Sequence, residues 1–202
     1  MFSKKSSHLI MKVKEYVIRG KTYQAFKPSI DNRYGQDIAS HDGLRLPAIT
    51  VSSVKEILLL TKDSTDVVCI DEIQFYDSEI IEICKQFANH GKTVIVSGLD
   101  KDFRDEFFPF KDKMLNMSHL IKAADEIIYL QAICNFKTDQ NQICGEKATR
   151  SQKFINGEIA PYETKTVQIG NDQVTEERKT TYASRCRQHF KFYKEKQCFL
   201  NG

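Results

Sequence analysis

The chain has 202 residues, enough for one domain with a core of its own plus a smaller appended module, and a 41% hydrophobic share fits a globular protein. No apolar run approaches the roughly 18 residues that a membrane span needs, and the amino terminus lacks the apolar stretch of a signal peptide, so a cytoplasmic location without membrane partners is expected. Thirty Lys and Arg against 27 Asp and Glu leave a net charge of only +3, with no long basic stripe interleaved with aromatics; nucleic acid is therefore not the expected ligand, while a local phosphate site stays open.

In chain order, Ser3-Lys4-Lys5-Ser6-Ser7 leads into a helical pattern near residues 9–18. Lys5-Ser6 resembles the Lys-Ser/Thr end of a phosphate-binding loop, where the lysine neutralises phosphates, the hydroxyl ligates magnesium and the helix amides donate. The same residues also suit a solvated helix cap. Residues 22–26 read as a strand, ended by the proline and polar cluster of 27–34, and residues 54–60 as a helix. Val67-Val68-Cys69-Ile70 is a short, β-branched apolar run broken by Asp71-Glu72, which predicts a parallel strand ending in a site. Ligands of open α/β sheets sit at the carboxyl ends of strands. There the first acid suits a magnesium shell and the second can take a proton from a hydroxyl; an Asp-Glu that merely caps the following helix would look the same.

Residues 78–89 carry Ile80, Ile81, Cys84, Phe87 and Ala88 at helical spacing, with Gly91 placed as a C-cap. Residues 93–97 form the next expected strand, 113–123 a helix, and 126–130 a strand that completes the alternation. This pattern predicts an α/β domain over residues 1–132, a mostly parallel sheet flanked by helices.

From Cys134 onward, polar residues and spaced cysteines replace the alternation, so residues 133–192 read as a second module and 193–202 as a tail. The module holds Cys134, Cys144, Cys186 and His189. Structural disulfides are disfavoured in the cytosol, and thiolates with an imidazole suit tetrahedral zinc. Nine residues separate Cys134 from Cys144, so the chain between them must bulge. Unligated thiols beside a surface histidine fit the spacing as well. Cys69 and Cys84 read as buried apolar thiols, and Cys198 falls in the tail.

Together these blocks resemble the zinc-containing (type II) thymidine kinase family, from Met1 to about His189. Met1-Phe2-Ser3-Lys4-Lys5-Ser6 is similar to the end of that family's Gly-Pro-Met-Phe-Ser-Gly-Lys-Ser loop. Phe26-Lys27-Pro28, Asp31-Asn32-Arg33-Tyr34 and Ser40-His41-Asp42 resemble its next block. Asp71-Glu72-Ile73-Gln74-Phe75 resembles its Asp-Glu-x-Gln-Phe signature, and Gly98-Leu99-Asp100-Lys101-Asp102-Phe103 its Gly-Leu-Asp-x-Asp-Phe segment. Val167-Gln168-Ile169-Gly170 and the stretch from Tyr182 to Cys186-Arg187-Gln188-His189 resemble its thymidine-gripping loop and last zinc ligands.

The resemblance implies a P-loop-type sheet with a small C-terminal zinc-binding lasso module, and ATP, Mg2+ and Zn2+ as cofactors. It implies transfer of the γ-phosphoryl group to the 5′-hydroxyl of thymidine, in a homotetramer. Glu72 would be the base, and Ser3, Lys4, Lys5, Ser6, Arg33, Asp71 and Gln74 would serve ATP and magnesium. Phe75, Phe103 and Phe108 would form an apolar slot for the pyrimidine, whose edge Val167, Gln168, Ile169, Gly170 and Tyr182 would read. Cys134, Cys144, Cys186 and His189 would hold zinc. Lys4 stands where the full loop has its second glycine, and the first glycine would precede Met1, so a truncated, altered P-loop is expected. Residues 171–181 add a polar stretch to the substrate loop. A second reading is a family member that keeps zinc and nucleoside or partner binding without catalysis.

Overall fold

The computed structural model describes residues 3–31, 35–40, 42–166 and 179–192, in two compact units. The larger comprises Lys4–Asp100 and Phe107–Ile128; the smaller comprises Met1–Ser3, Lys101–Glu106 and Tyr129–Gly202.

The larger unit opens with α1 (Lys5–Ile18) and β1 (Tyr23–Pro28), followed by a short antiparallel pair, β2 (Ile38–Ala39) and β3 (Arg45–Leu46). Then come β4 (Ile49–Val51), α2 (Val54–Leu60), β5 (Val67–Ile70), a 3-10 turn (Ile73–Phe75), α3 (Ile80–Asn89), β6 (Thr93–Val96) and α4 (Met117–Ala123). The four longer strands form a parallel sheet in the order β4-β1-β5-β6; the parallel arrangement is the one the alternation predicts, whereas β4 is not among the strands expected from the sequence. Its register aligns Ala25, Cys69 and Ile95. Side chains alternate across a strand, so these three share a face, and Leu9, Ile10 and Val13 of α1 cluster with them.

Local chemistry sets the helix ends. Ser53 accepts the Glu56 amide at the start of α2, and the Glu56 carboxylate returns to the Ser52 amide at 3.4 Å. Gly91, at φ +79°, closes α3 as expected, its amide donating to the Ala88 carbonyl at 2.9 Å.

Three expectations are corrected. Helix α1 starts at Lys5 rather than near residue 9, because the Lys4 carbonyl already accepts the His8 amide at 3.0 Å. Helix α4 starts at Met117 rather than 113, where Asn116 caps it through the Ser118 amide. Residues 126–130 form no strand: Ile127, Ile128 and Tyr129 are exposed, and among the described residues no ladder partner is available to them. Residue type favours a strand there, but an unpaired extended segment gains nothing from that preference.

In the smaller unit β7 (Ala132–Ile133) pairs with β8 (Lys147–Ala148), and β9 (Arg150–Ile155) lies between β10 (Glu158–Ile159) and β11 (Thr180–Arg185) in an antiparallel sheet. The β9–β10 hairpin turns on Asn156-Gly157, both at positive φ, a pair suited to a tight two-residue turn. Among the described residues no helix is long and apolar enough to cross a membrane.

Candidate functional site

Past the end of β5 the chain stays anchored. The Asp71 amide donates to the Phe26 carbonyl and the Ile73 amide to the Ser97 carbonyl, each at 2.9 Å. Between them Glu72 adopts a left-handed conformation, φ 47° and ψ 46°, and starts the 3-10 turn. Such a backbone costs a non-glycine residue about 1–2 kcal/mol and persists only where its surroundings enforce it.

Asp71 is buried, accepting the Glu72 amide at 2.9 Å and the Ser97 hydroxyl. Burial raises its carboxyl above the usual carboxylate range, and the nearby Lys5 ammonium opposes that shift. Glu72 is gripped at both oxygens, with Lys5 Nζ 3.2 Å from Oε1 and Gln74 Nε2 2.6 Å from Oε2. Gln74 is 1% exposed, and its own Oε1 accepts the Leu99 amide at 3.2 Å. The end of one buried strand thus carries two acids in different surroundings. Asp71 is enclosed, while Glu72 is oriented by an amide and paired with a cation.

Lys4, at φ 56° and ψ 31°, takes the conformation that favours glycine. It caps α1 with no side-chain hydrogen bond, and the first turn of that helix contains no acid. Lys5 and Ser6 therefore sit where helix amides and macrodipole attract an anion. Ser7 donates to Asp42 at 2.8 Å, and the hydroxyls of Ser40 and Ser7 lower that carboxyl. Phe75 meets Phe108 edge to face, centroids 6.2 Å apart. Ser3 and Phe103 belong to the smaller unit. Arg33, Val167, Gln168, Ile169, Gly170 and Cys198 lie outside the described residues.

In the smaller unit Phe103 is buried, its ring facing Arg104 at 4.6 Å and Lys153 at 5.2 Å. Tyr182 pairs in register with Lys153, whose ammonium lies 5.8 Å from the tyrosine ring. Burial, with a contribution from Arg104, lowers Lys153 to about 8.

The same unit brings Cys134, Cys144, Cys186 and His189 together, their donor atoms all within 4.8 Å of one another. The long spacer folds as a small hairpin. Lys137 bridges Ile143, Asn141 turns at φ 57°, and the Cys144 amide reaches the Phe136 carbonyl at 2.8 Å. Phe136 stacks on the His189 ring at 4.1 Å. Burial resists ionisation of Cys134, but backbone donors at Cys186 and Phe136 and the His189 side chain lower it to about 7. Three thiols and an imidazole at this separation fit a tetrahedral ion such as zinc. Cys69 is buried as expected, whereas Cys84 is only half-buried.

Two contributors, Ser97 and Gly98, are given no part in the site by the sequence reading, although they lie in its expected strand and Gly-Leu-Asp segment. The register that places Ile70 beside Val96 puts Ser97 next to Asp71. A Cβ on Gly98 would lie 2.8 Å from Gln74 Oε1 and 2.9 Å from Ile73 Cγ2. Gly98→Ala is therefore expected to cost about 1–3 kcal/mol, read as a loss in Tm of about 2–4 °C per kcal/mol; an unchanged thermal denaturation curve would contradict this close packing.

A family model described as thymidine kinase matches residues 1–190.

Proposed function

The chain belongs to the thymidine kinase family, and on that premise we propose that it transfers the γ-phosphoryl group of ATP to the 5′-hydroxyl of thymidine. The observation that carries this reading is the Lys5–Glu72–Gln74 constellation beside the buried Asp71, at the carboxyl end of β5 and the start of α1. The 5′-oxygen attacks the γ-phosphorus, the bond to the β-phosphate oxygen breaks, and Glu72 accepts the hydroxyl proton. Gln74 holds one Glu72 oxygen, which aims the other toward the acceptor. Lys5 exchanges Glu72 for the phosphates when ATP binds, releasing the base at the moment its substrate is in place. Magnesium, when bound, offsets charge on the β- and γ-phosphates, and Asp71 and Ser6 are the residues proposed to hold it, with Arg33 reaching the phosphate region.

Roles for Phe75, Phe103 and Phe108 against the pyrimidine rest on the resemblance of their motifs. The same holds for base reading by Val167, Gln168, Ile169, Gly170 and Tyr182, and for a cytoplasmic homotetramer. Zinc is the ion proposed for Cys134, Cys144, Cys186 and His189, tying β7, the 135–143 hairpin and the end of β11 into one knot. A small unit with few core residues gains folding free energy from such an ion.

Three outcomes are expected. Purified chain phosphorylates radiolabelled thymidine in the presence of ATP and magnesium, and Glu72→Gln lowers kcat about 100-fold or more while thymidine still binds in calorimetry; a variant with normal turnover would remove Glu72 as the base. Lys4→Gly relieves about 1 kcal/mol of backbone strain and tightens ATP binding, so a fall in both Tm and ATP affinity would count against the loop as described. Metal analysis finds one zinc per chain, which Cys186→Ser abolishes together with amide protection around Cys134 and Cys144; full zinc retention in that variant would dissolve the proposed ligand set.

A further inference from the structure

Tyr76 ends the 3-10 turn that follows Glu72 and is only 2% exposed. Its backbone is held on both sides, the amide donating to the Ile73 carbonyl at 3.2 Å and the carbonyl accepting the Lys111 amide at 2.9 Å. The phenol oxygen is buried as well, yet among the described residues nothing bonds to it. A buried polar atom left this way carries its full desolvation cost, and a phenylalanine would fill the same space without that cost. Nor is the hydroxyl remote from the strand end that carries the acids. Burial raises the phenol above its ordinary range, and the Asp71 and Glu56 carboxylates push it the same way, so both acids lie within electrostatic reach of the oxygen.

Asp71 is bonded on one oxygen. The Glu72 amide and the Ser97 hydroxyl both donate to Oδ1, and among the described residues no hydrogen bond reaches Oδ2. The strand end thus holds two oxygens with unused accepting capacity, Asp71 Oδ2 and the Tyr76 hydroxyl. Magnesium keeps several waters when bound to protein carboxylates, and each such water has two protons to donate. A pair of nearby acceptors is what one water of that shell requires, so the residues present fit the ion. We propose that Tyr76 is a positioning residue of the magnesium site, its oxygen accepting one hydrogen bond from a cation-bound water whose other proton goes to Asp71. This rests on the magnesium role proposed above for Asp71. Partners of this outer kind orient the groups that hold a metal and raise its affinity. Affinity for the cation then depends on the Tyr76 hydroxyl, while binding of thymidine does not.

The test compares full-length wild type, Tyr76→Phe and Asp71→Asn, with Mn2+ as the probe. Calorimetry measures the affinity for a non-hydrolysable ATP analogue with and without Mn2+, and the ratio of the two is the gain due to the metal. In Tyr76→Phe that gain falls to about a tenth of the wild-type value, while affinity for the metal-free analogue and the KM for thymidine stay within about twofold. The Tm of the metal-free variant does not fall, because only an unbonded oxygen has been removed. An unchanged metal gain in Tyr76→Phe overturns the proposal and leaves the hydroxyl as an unpaired packing atom. A lower metal-free Tm with a parallel rise in the thymidine KM overturns it too, since that marks a general packing defect. Asp71→Asn separates this inference from the reading beneath it. A wild-type gain in Asp71→Asn removes the magnesium role of Asp71 and the Tyr76 proposal with it, whereas a lost gain there beside a normal one in Tyr76→Phe removes Tyr76 alone.

Discussion

Strand β5 has neither a free edge nor a free face. All four of its residues are buried, and its backbone is bonded in parallel to β1 on one side and β6 on the other. Buried backbone groups of this kind are satisfied only by neighbouring strands, so the direction and register of β5 admit no adjustment. The Phe26 and Ser97 carbonyls continue the bonding past Ile70, which is why the left-handed Glu72 can be sustained. Everything proposed for the larger unit depends on that strand end being immovable.

The charges there are balanced rather than merely collected. Asp71, Glu72 and Lys5 put two potential negative charges against one cation, in a region where water screens little. The result is asymmetric: burial favours a proton on Asp71, while Glu72 has a cation on one oxygen and an amide on the other. Two adjacent acids thereby acquire different chemistries from their surroundings. Backbone strain is present at the same place. Lys4 and Glu72 both hold left-handed conformations, the first next to Lys5 in sequence and the second the acid that Lys5 pairs with at 3.2 Å. Strain retained at two such positions fits a site whose geometry is maintained at a cost in stability.

The smaller unit is built by another means. Its described hydrophobic cluster consists of Ala132, Cys134, Ala148 and Cys186, with Phe136 and Cys144 against it, so that three of the donor thiols are also packing residues. Apolar burial on that scale stabilises little. Cross-links by side chains take over: the Cys and His knot at one place, the Arg104 and Lys153 bonds to residues 162–166 at another. Lys153 shows how far this goes, for a lysine with no exposed surface is tolerated because its ammonium meets a carbonyl and two ring faces.

Where structure follows from neighbouring residues, the sequence by itself was decisive. The alternation of β-branched runs with helical spacing determined the parallel sheet, Gly91 the end of α3, and the apolar run before Asp71-Glu72 the place of the acids, because periodicity and turn chemistry act over a few residues. Cys186 and His189 were legible for the same reason, three apart on one turn. The strand expected at 126–130 failed because a strand needs a partner, and pairing is not a local property. Only the tertiary structure decided that Ser97 meets Asp71, that Gln74 and Lys5 divide the two oxygens of Glu72, that the 135–143 hairpin returns Cys144 to Cys134, and that Arg104 grips residues 162–166. Each joins residues far apart in the chain or sets a rotamer among alternatives, and both are fixed by register and packing, which exist only once the chain has folded.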